Sequence, residues 1–160
     1  EPHYILGDLD SIDKKYLNTY KEKIIKLKNQ NFNDLYKSLL WLKKNNVSKI
    51  DIIGADGRRP DHMISNFNII FESIKYFDIT IFNEHGVFYT IDKKRTFKNC
   101  HNKNVSIFSS LTKNKINTKG LQHELKNKQL KNLYEGCLNI AIDDSITIKT
   151  DDKILVFISK

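Results

Sequence analysis

Two aspartates that stand two residues apart, Asp8 and Asp10, are the first side chains in the sequence that could do chemistry. They lie in the segment Gly7-Asp8-Leu9-Asp10-Ser11, which follows a short apolar run and is typical of a loop. From a loop, both carboxylates can point at one ion, and Asp34 can add a third. Oxygen ligands of this kind suit Mg²⁺, which keeps several waters and takes a few carboxylates together with substrate phosphates. The three aspartates are therefore candidate metal ligands and catalytic groups.

An Asp-x-Asp pair is not specific to one class of protein. It also occurs in glycosyltransferases, in haloacid-dehalogenase-type phosphatases and in plain turns. The phosphatase signature has Thr or Val two residues after its second Asp, whereas Ile12 stands there in this chain. The phosphatase alternative is therefore disfavoured, but the pair needs support from other segments.

A second set of chemically suitable residues lies in the segment Gly54-Ala55-Asp56-Gly57-Arg58-Arg59-Pro60-Asp61-His62. Backbone N–H groups of a glycine-containing loop and the N-terminus of the following helix attract phosphate, and an arginine can bind phosphate oxygens with two parallel hydrogen bonds. A glycine-rich turn with solvated arginines is the alternative. Beside the carboxylates, phosphate binding is favoured. His62 is either an acid or base or a structural residue that bonds the loop backbone.

These segments have to be positioned by the elements around them. Apolar runs at residues 4–6, 24–27, 49–53 and 79–82 predict four strands, which alternate with amphipathic helices. Ser11, Asn33 and Asp61 are the predicted helix caps. Strands that alternate with helices form a parallel sheet, and ligands bind at its carboxyl edge. We therefore expect the segments around Asp8, Asp34 and Arg59 to converge on one pocket.

After Asn83 the predicted secondary structure changes from alternating strands and helices to strands alone. Short β-rich runs at residues 87–91, 105–110, 145–149 and 154–159 are separated by turn-like polar segments. This pattern predicts a separate antiparallel β domain. The polar stretch at residues 112–120 is predicted to be an exposed loop or a long hairpin.

Composition narrows the class of protein. The formal charge of +8 favours anionic partners, but the lysines are spread along the chain, so neither nucleic acid nor a membrane surface is expected as a partner. No apolar run approaches the ~20 residues of a membrane span.

Cys100 and Cys137 form no paired pattern, which fits a reducing, cytoplasmic setting. Because the chain starts at Glu1 and a strand follows almost at once, we expect an N-terminal piece to be missing.

Taken together, the motifs resemble the thiamine pyrophosphokinase family. That family shows Gly-Asp-x-Asp-Ser, which residues 7–11 match fully, and a Gln-Asp-x-Thr-Asp-like segment, which Gln30 and Asp34 match with Asn31 and Asn33 as substitutions. Its third motif, Gly-Ala-x-Gly-Gly-Arg-x-Asp-His, is matched except at Arg58. In the second half the likeness is looser: residues 120–125 resemble a Gly-Leu-x-x-x-Leu strand, and Leu138-Asn139 stands where the family has Ser-Asn.

The resemblance implies a fold and a set of partners. The expected fold is a parallel-sheet, Rossmann-like ATP-binding α/β domain at residues 1–83, truncated at its N-terminus, followed by an antiparallel β-sandwich at residues 84–160 that binds thiamine and forms the dimer contact. The expected partners are ATP, thiamine and a second copy of the chain. The expected reaction converts ATP and thiamine into AMP and thiamine diphosphate with Mg²⁺ as cofactor.

The resemblance also assigns roles to residues. Asp8, Asp10 and Asp34 would bind Mg²⁺, and one of them would orient or deprotonate the thiamine hydroxyl. The residues expected to contact ATP or its phosphates are Gln30, Gly54, Gly57, Arg59, Asp61 and His62. Ser11 and Asn139 are the expected substrate-binding residues, and Asn139 is the expected contact to thiamine in the β domain. Three alternatives stay open: a Mg²⁺-dependent nucleotide transferase with a different alcohol acceptor, a non-catalytic thiamine-binding relative, and a nucleic-acid-binding module.

Overall fold

The structure is a computed structural model that describes residues 1–10, 12–27, 29, 31–57 and 59–160. Three residues that the sequence singled out, Ser11, Gln30 and Arg58, therefore lie outside the described residues. The chain divides into two compact units, Glu1–Ser48 and Lys49–Lys160. Each unit is built around its own sheet or sheets.

The first unit contains one parallel strand pair. Strands β1 (Ile5–Gly7) and β2 (Ile24–Lys26) pair with Gly7 opposite Lys26. Parallel strands need a crossover connection, and here it contains helix α1 (Lys14–Thr19) and a 3-10 helix (Lys21–Lys23). The carboxylate of Asp13 caps α1 by accepting the Lys15 N–H at 2.9 Å. The helix is thus capped two residues after the predicted position.

Helix α2 (Asp34–Lys44) follows β2 and begins where the sequence predicts it. The side-chain oxygen of Asn33 accepts the Tyr36 N–H at 2.9 Å, which confirms Asn33 as the cap. The helix ends at Asn45, and the next residue, Asn46, has a positive φ of 59°. Of the α2 side chains, those of Lys37 and Leu39 are buried. A buried lysine on this helix requires a partner for its charge.

The second unit contains the other strands that the structure describes. In chain order they are β3 (Lys49–Ile53), β4 (Asp78–Phe82), β5 (Gly86–Ile91), β6 (Lys94–Phe97), β7 (Asn104–Phe108), β8 (Lys115–Lys119), β9 (Lys128–Gln129), β10 (Asn139–Ile140), β11 (Ile146–Thr150) and β12 (Ile154–Ser159). Six of them form a mixed sheet in the order β10-β7-β12-β5-β4-β3, and four form an antiparallel sheet in the order β6-β11-β8-β9. A 3-10 helix (Leu133–Gly136) precedes β10.

The predicted fold class, a parallel-sheet Rossmann-like domain followed by a separate β-sandwich, is wrong. In the six-stranded sheet only β3 and β4 pair in parallel among the described strands, and β4 pairs with β5 in the antiparallel direction. The physical reason is the turn after β4: the side-chain oxygen of Asn83 accepts the N–H groups of His85 and Gly86 at 3.0 and 2.9 Å. This turn reverses the chain within the sheet, so β3 and β4 belong to the same sheet as the C-terminal strands.

Helix α3 (Pro60–Ser73) connects β3 to β4 and packs on one face of the six-stranded sheet. Its ring contacts include Phe67 with Phe88, at 5.0 Å between centroids, and Phe71 with Phe108, at 6.1 Å. Proline occupies the first helical position, where a missing N–H costs nothing. Asp61 was predicted as the cap, but the cap position is held by Arg59 and Asp61 lies inside the first turn.

The main core lies between the two sheets of the second unit. Its buried side chains come from strands of both sheets, including Ile107 and Val156 from one and Ile116, Ile146 and Ile148 from the other. Successive side chains of a strand point to opposite faces, so the alternate residues of the six-stranded sheet face α3. The middle strands of the sheet are therefore covered on both faces, whereas β3 at its edge has no buried residue. No helix in the described parts of the chain is long and apolar enough to cross a membrane.

The core between the sheets yields a stability prediction. Ile148→Ala, at a side chain that is 0% exposed, should lower the free energy of unfolding by about 2–5 kcal/mol, because it removes buried methyl groups and leaves a cavity. Ile64→Ala, at a side chain on α3 that is 68% exposed, should change it by less than about 0.5 kcal/mol. Urea unfolding followed by circular dichroism measures both, and equal losses would contradict this assignment of the core.

Candidate active site

The first acidic loop is held in shape by its own backbone. Asp8 accepts the N–H of Asp10 at 3.2 Å through its carboxylate, and Leu9 between them has a positive φ of 72°. This arrangement is a tight turn that directly follows β1. The turn leaves the side chain of Asp10 exposed and that of Asp8 partly buried.

The second acidic loop meets the first at Gly7. Gly7 has a φ of 152°, and a Cβ atom built on it would lie 3.1 Å from Oδ2 of Asp34 and 3.2 Å from its Cγ. Glycine is needed here for both reasons, since a side chain would be strained and would press on the Asp34 carboxylate. The close approach brings the start of α2 against the end of β1.

Lys37 connects the two loops through an ion-pair network. Its Nζ lies 2.6 Å from Oδ1 of Asp34 and 3.8 Å from Oδ2 of Asp8, and its side chain is only 5% exposed. The hydrogen bond to Asp34 raises the pKa of the Lys37 ammonium, the charges of Asp34 and Asp8 act in the same direction, and burial opposes them. The structure thus places two of the three predicted metal ligands on one cation.

Sequence reasoning missed Lys37. The available signal was its spacing: Lys37 is three residues after Asp34 on a helix, a distance at which side chains are neighbours. The contact to Asp8, which lies 29 positions earlier, leaves no such signal in a local pattern. From local patterns alone, Lys37 is therefore indistinguishable from the lysines expected on the solvated surface.

The segment that the sequence predicts to bind phosphate forms a compact turn at Gly54–Gly57 in the second unit. Gly54 and Gly57 have positive φ angles of 78° and 59°, and the Gly57 N–H donates to the Gly54 carbonyl at 3.2 Å. The buried residue Ala55 accepts a hydrogen bond from the Asn66 amide at 2.9 Å, which ties the turn to α3. Both glycines are exposed, so the backbone of the turn is open to a ligand.

Arg59 is paired within this segment. Its Nε and Nη2 donate to the two carboxylate oxygens of Asp61 at 3.1 and 2.6 Å, and both side chains are exposed. The guanidinium lowers the pKa of the Asp61 carboxyl below its ordinary value. The side chain of His62, the next residue, is also exposed. The predicted convergence of this segment with the acidic loops stays a prediction.

An apolar pocket of about 460 Å³ adjoins the same turn. It lies between α3 and the six-stranded sheet, and its lining includes Asp56, Phe67, Phe88, Phe108 and Leu133. Its volume falls within the range of small-molecule sites, which combine apolar walls with a few polar groups. The pocket can therefore accept a ring system next to the turn that carries Gly54 and Gly57.

Asn139, the predicted thiamine contact, has its side-chain amide engaged inside the chain. Its Nδ2 donates to the His123 carbonyl at 2.7 Å, and its Oδ1 accepts the N–H groups of His123 and Ile140 at 3.1 and 2.9 Å. The residue is buried. These bonds hold β10, which begins at Asn139, against the backbone of His123. Asn139 therefore has a structural role, and its contact with thiamine stays a prediction.

The fold matches that of solved thiamin pyrophosphokinase structures. A crystal structure of thiamine pyrophosphokinase from Bacillus subtilis superposes with a TM-score of 0.79 at 18% sequence identity, covering 99% of this chain and 78% of that one. Thiamin pyrophosphokinase from Candida albicans gives 0.78 at 20% identity, covering 99% and 73%. The yeast enzyme gives 0.72 at 17% identity, covering 99% and 69%. No curated protein matches the chain in sequence.

Family models identify the chain. The thiamin pyrophosphokinase catalytic domain matches residues 1–82, and the thiamin pyrophosphokinase substrate-binding domain matches residues 86–157. The chain belongs to the thiamin pyrophosphokinase family. It is a transferase of the kinase type, and it uses ATP to convert thiamine into thiamine diphosphate.

The bonds of Asn139 yield a prediction that separates structure from substrate binding. Asn139→Ala should lower the free energy of unfolding by about 1 kcal/mol without any substrate, because it removes hydrogen bonds to partly buried backbone groups. Asn132→Ala, at an exposed side chain, is the control and should have little effect. Urea unfolding of the substrate-free protein measures both. Unchanged stability with a raised KM for thiamine would instead make Asn139 a substrate contact alone.

Proposed function

We propose that the pyrophosphate transfer depends on Mg²⁺ held by Asp8, Asp10 and Asp34. The observation that carries this proposal is the shared contact of Asp8 and Asp34 with the ammonium of Lys37. Two carboxylates from different loops already meet at one positive charge. A site that gathers carboxylates around a cation has the chemistry that a divalent ion requires.

The available carboxylate ligands suit Mg²⁺ better than a metal ion that takes all of its ligands from the protein. In the parts of the chain that the structure describes, no three His, Cys, Asp or Glu side chains are grouped to hold a metal by themselves. Mg²⁺ does not need such a group, since it usually keeps several waters and takes one or two carboxylates plus substrate phosphates. Asp8 and Asp34 supply those carboxylates, and the exposed side chain of Asp10 supplies a third oxygen ligand or the base.

The reaction requires the thiamine hydroxyl to attack the β-phosphorus of ATP while AMP leaves. When bound, the metal neutralises phosphate charge and orients the reacting groups. One of the three aspartates orients the hydroxyl and accepts its proton as the new O–P bond forms. Arg59 neutralises charge on the phosphate oxygens, for which its planar guanidinium is suited. The open backbone of the Gly54–Gly57 turn offers N–H groups to the same oxygens.

The remaining predicted residues have supporting roles. Gln30 and Ser11 make polar contacts to substrates, Asp61 and His62 brace the phosphate segment or contact the nucleotide, and Asn139 contacts thiamine. The Arg59–Asp61 pair supports the bracing role, because it fixes both side chains relative to the start of α3. The substitutions at Asn31, Arg58 and Leu138 are the places where this chain departs from the family pattern.

The proposed domain division is catalytic at residues 1–83 and thiamine-binding and dimer-forming at residues 84–160. The extents of the two family matches support this division. We place the enzyme in the cytoplasm, and the free thiols of Cys100 and Cys137 are compatible with a reducing compartment.

The functional unit in this proposal is a homodimer. Five exposed apolar side chains support it because they fall within ten residues of chain, at Leu133, Tyr134, Leu138, Ile140 and Ile142. Exposed apolar groups concentrated in this way are typical of protein–protein interfaces. Leu138 is the most exposed at 87%, and it holds a positive φ of 59° that Leu seldom adopts.

The aspartate roles can be tested by one substitution with a matched control. Asp10→Asn should reduce the coupled formation of AMP and thiamine diphosphate by about 100-fold or more, because a charge that acts on the transition state is lost. Asp13→Asn removes the same charge three residues later and keeps the cap of α1, since Asn caps as well as Asp. It should leave the rate close to that of the parent protein.

Both products have to be measured in the same reaction with purified protein, ATP, thiamine and Mg²⁺. Equal activity of the Asp10→Asn and Asp13→Asn variants would remove Asp10 from the site. AMP release without thiamine diphosphate would point to a different alcohol as the acceptor.

The homodimer can be tested at Leu138. Leu138→Asp puts a charge in the apolar segment, and Asp tolerates the positive φ of this position. We expect it to convert the dimer into a monomer in sedimentation-velocity experiments at micromolar concentration. Tyr76→Asp, at an exposed aromatic near the end of α3, is the control and should remain a dimer. A parent protein that sediments as a monomer, or a Leu138→Asp dimer, would rule out this interface.

A further inference from the structure

Lys37 takes no part in the roles assigned so far, although it is the buried cation nearest to the proposed metal ligands. Lysine is rarely buried unless its charge is paired. Here the side chain turns inward from α2 to reach the start of its own helix and the loop after β1. Its position is therefore set by Asp34 and Asp8 and not by the apolar face of the helix.

The two carboxylates need a positive charge between them. The close approach of Asp34 to Gly7 fixes one carboxylate beside the loop that carries Asp8. Two negative charges held near each other repel, and water screens part of this repulsion because the Asp34 and Asp8 side chains are 51% and 34% exposed. Lys37 is the group in the described structure that neutralises both, at 2.6 Å from one and 3.8 Å from the other.

A divalent cation would draw on the same two carboxylates. The Lys37 ammonium lies 2.6 Å from Oδ1 of Asp34, so a second cation bound at that carboxylate would be repelled unless the ammonium moves away. Lysine is suited to such an exchange because its charge sits on a flexible stem. The arrangement thus has one pair of carboxylates and two cations that can neutralise them.

We propose that Lys37 is a positioning residue that holds the Asp8 and Asp34 carboxylates in place in the metal-free enzyme and competes with Mg²⁺ for them. The inference rests on the proposed function, in which these aspartates bind the metal. It makes Lys37 a group that keeps the site assembled before the metal and ATP arrive. Its removal should weaken the metal-free protein and strengthen the binding of the bare cation.

The test compares Lys37→Met with Lys37→Arg, which keeps the charge, and with Lys44→Met, which removes an exposed lysine from the same helix. Thermal unfolding is measured in EDTA and at increasing MgCl₂, and Mg²⁺ affinity is measured by calorimetry without nucleotide. We expect Lys37→Met to unfold at a lower temperature in EDTA. It should also show a larger stabilisation by Mg²⁺ and bind Mg²⁺ about fivefold more tightly than the parent protein.

The controls define what each result means. Lys37→Arg and Lys44→Met should behave like the parent protein in both measurements. If Lys37→Met does not fold, Lys37→Gln, which also lacks the charge, replaces it. A Lys37 variant without the charge that binds Mg²⁺ no more tightly than the parent protein would overturn the proposal, as would unchanged thermal unfolding in EDTA.

Asp34→Asn separates this inference from the proposed function. If Asp34→Asn abolishes Mg²⁺ binding while Lys37→Met leaves it unchanged, the metal role of the aspartates stands and the competing role of Lys37 fails. If Asp34→Asn binds Mg²⁺ as the parent protein does, the metal assignment itself fails, and the inference about Lys37 fails with it.

Discussion

The approach of the Asp34 carboxylate to the backbone of Gly7 is the constraint on which the acidic part of the site depends. A side chain at residue 7 would press on that carboxylate, so the contact requires glycine. With Asp34 fixed there, Lys37 on the next helical turn reaches both Asp34 and Asp8. One close contact between the end of a strand and the start of a helix therefore determines where two carboxylates and one ammonium lie.

The second unit supports its phosphate segment by a different means. Its six-stranded sheet is covered on one face by the four-stranded sheet and on the other by α3. The turn with Gly54 and Gly57 joins β3 of this sheet to α3, and the Asn66 amide bonds it to the helix. The bond from the Gly57 N–H to the Gly54 carbonyl and the bond from Asn66 hold the backbone of Gly54–Gly57 although both glycines are exposed. This is the requirement for a loop that binds phosphate through N–H groups.

The sequence was informative where structure is determined locally and less informative elsewhere. The cap at Asn33 was predictable because it depends on residues a few positions apart. The direction of β5 was not, because it depends on a turn at Asn83 that looked like the end of a domain. Strand β8 lies in the stretch predicted as an exposed loop or a long hairpin, and the sequence did not decide between the two because only Ile116 of its five residues is apolar and buried. Lys37 was missed because one of its partners is distant in sequence.

Each unit has a described cation that is paired with carboxylates of its own unit, Lys37 with Asp34 and Asp8 in the first and Arg59 with Asp61 in the second. In the proposed mechanism, substrate binding is then an exchange of ionic partners. Phosphate oxygens would accept hydrogen bonds that Arg59 now donates to Asp61, and Asp8 and Asp34 would hold the metal in place of Lys37. Until substrate binds, the pairing neutralises the buried ammonium of Lys37, which would be costly to leave without a partner. The paired state also keeps each side chain near the position from which it acts, which reduces the entropy lost when substrate binds.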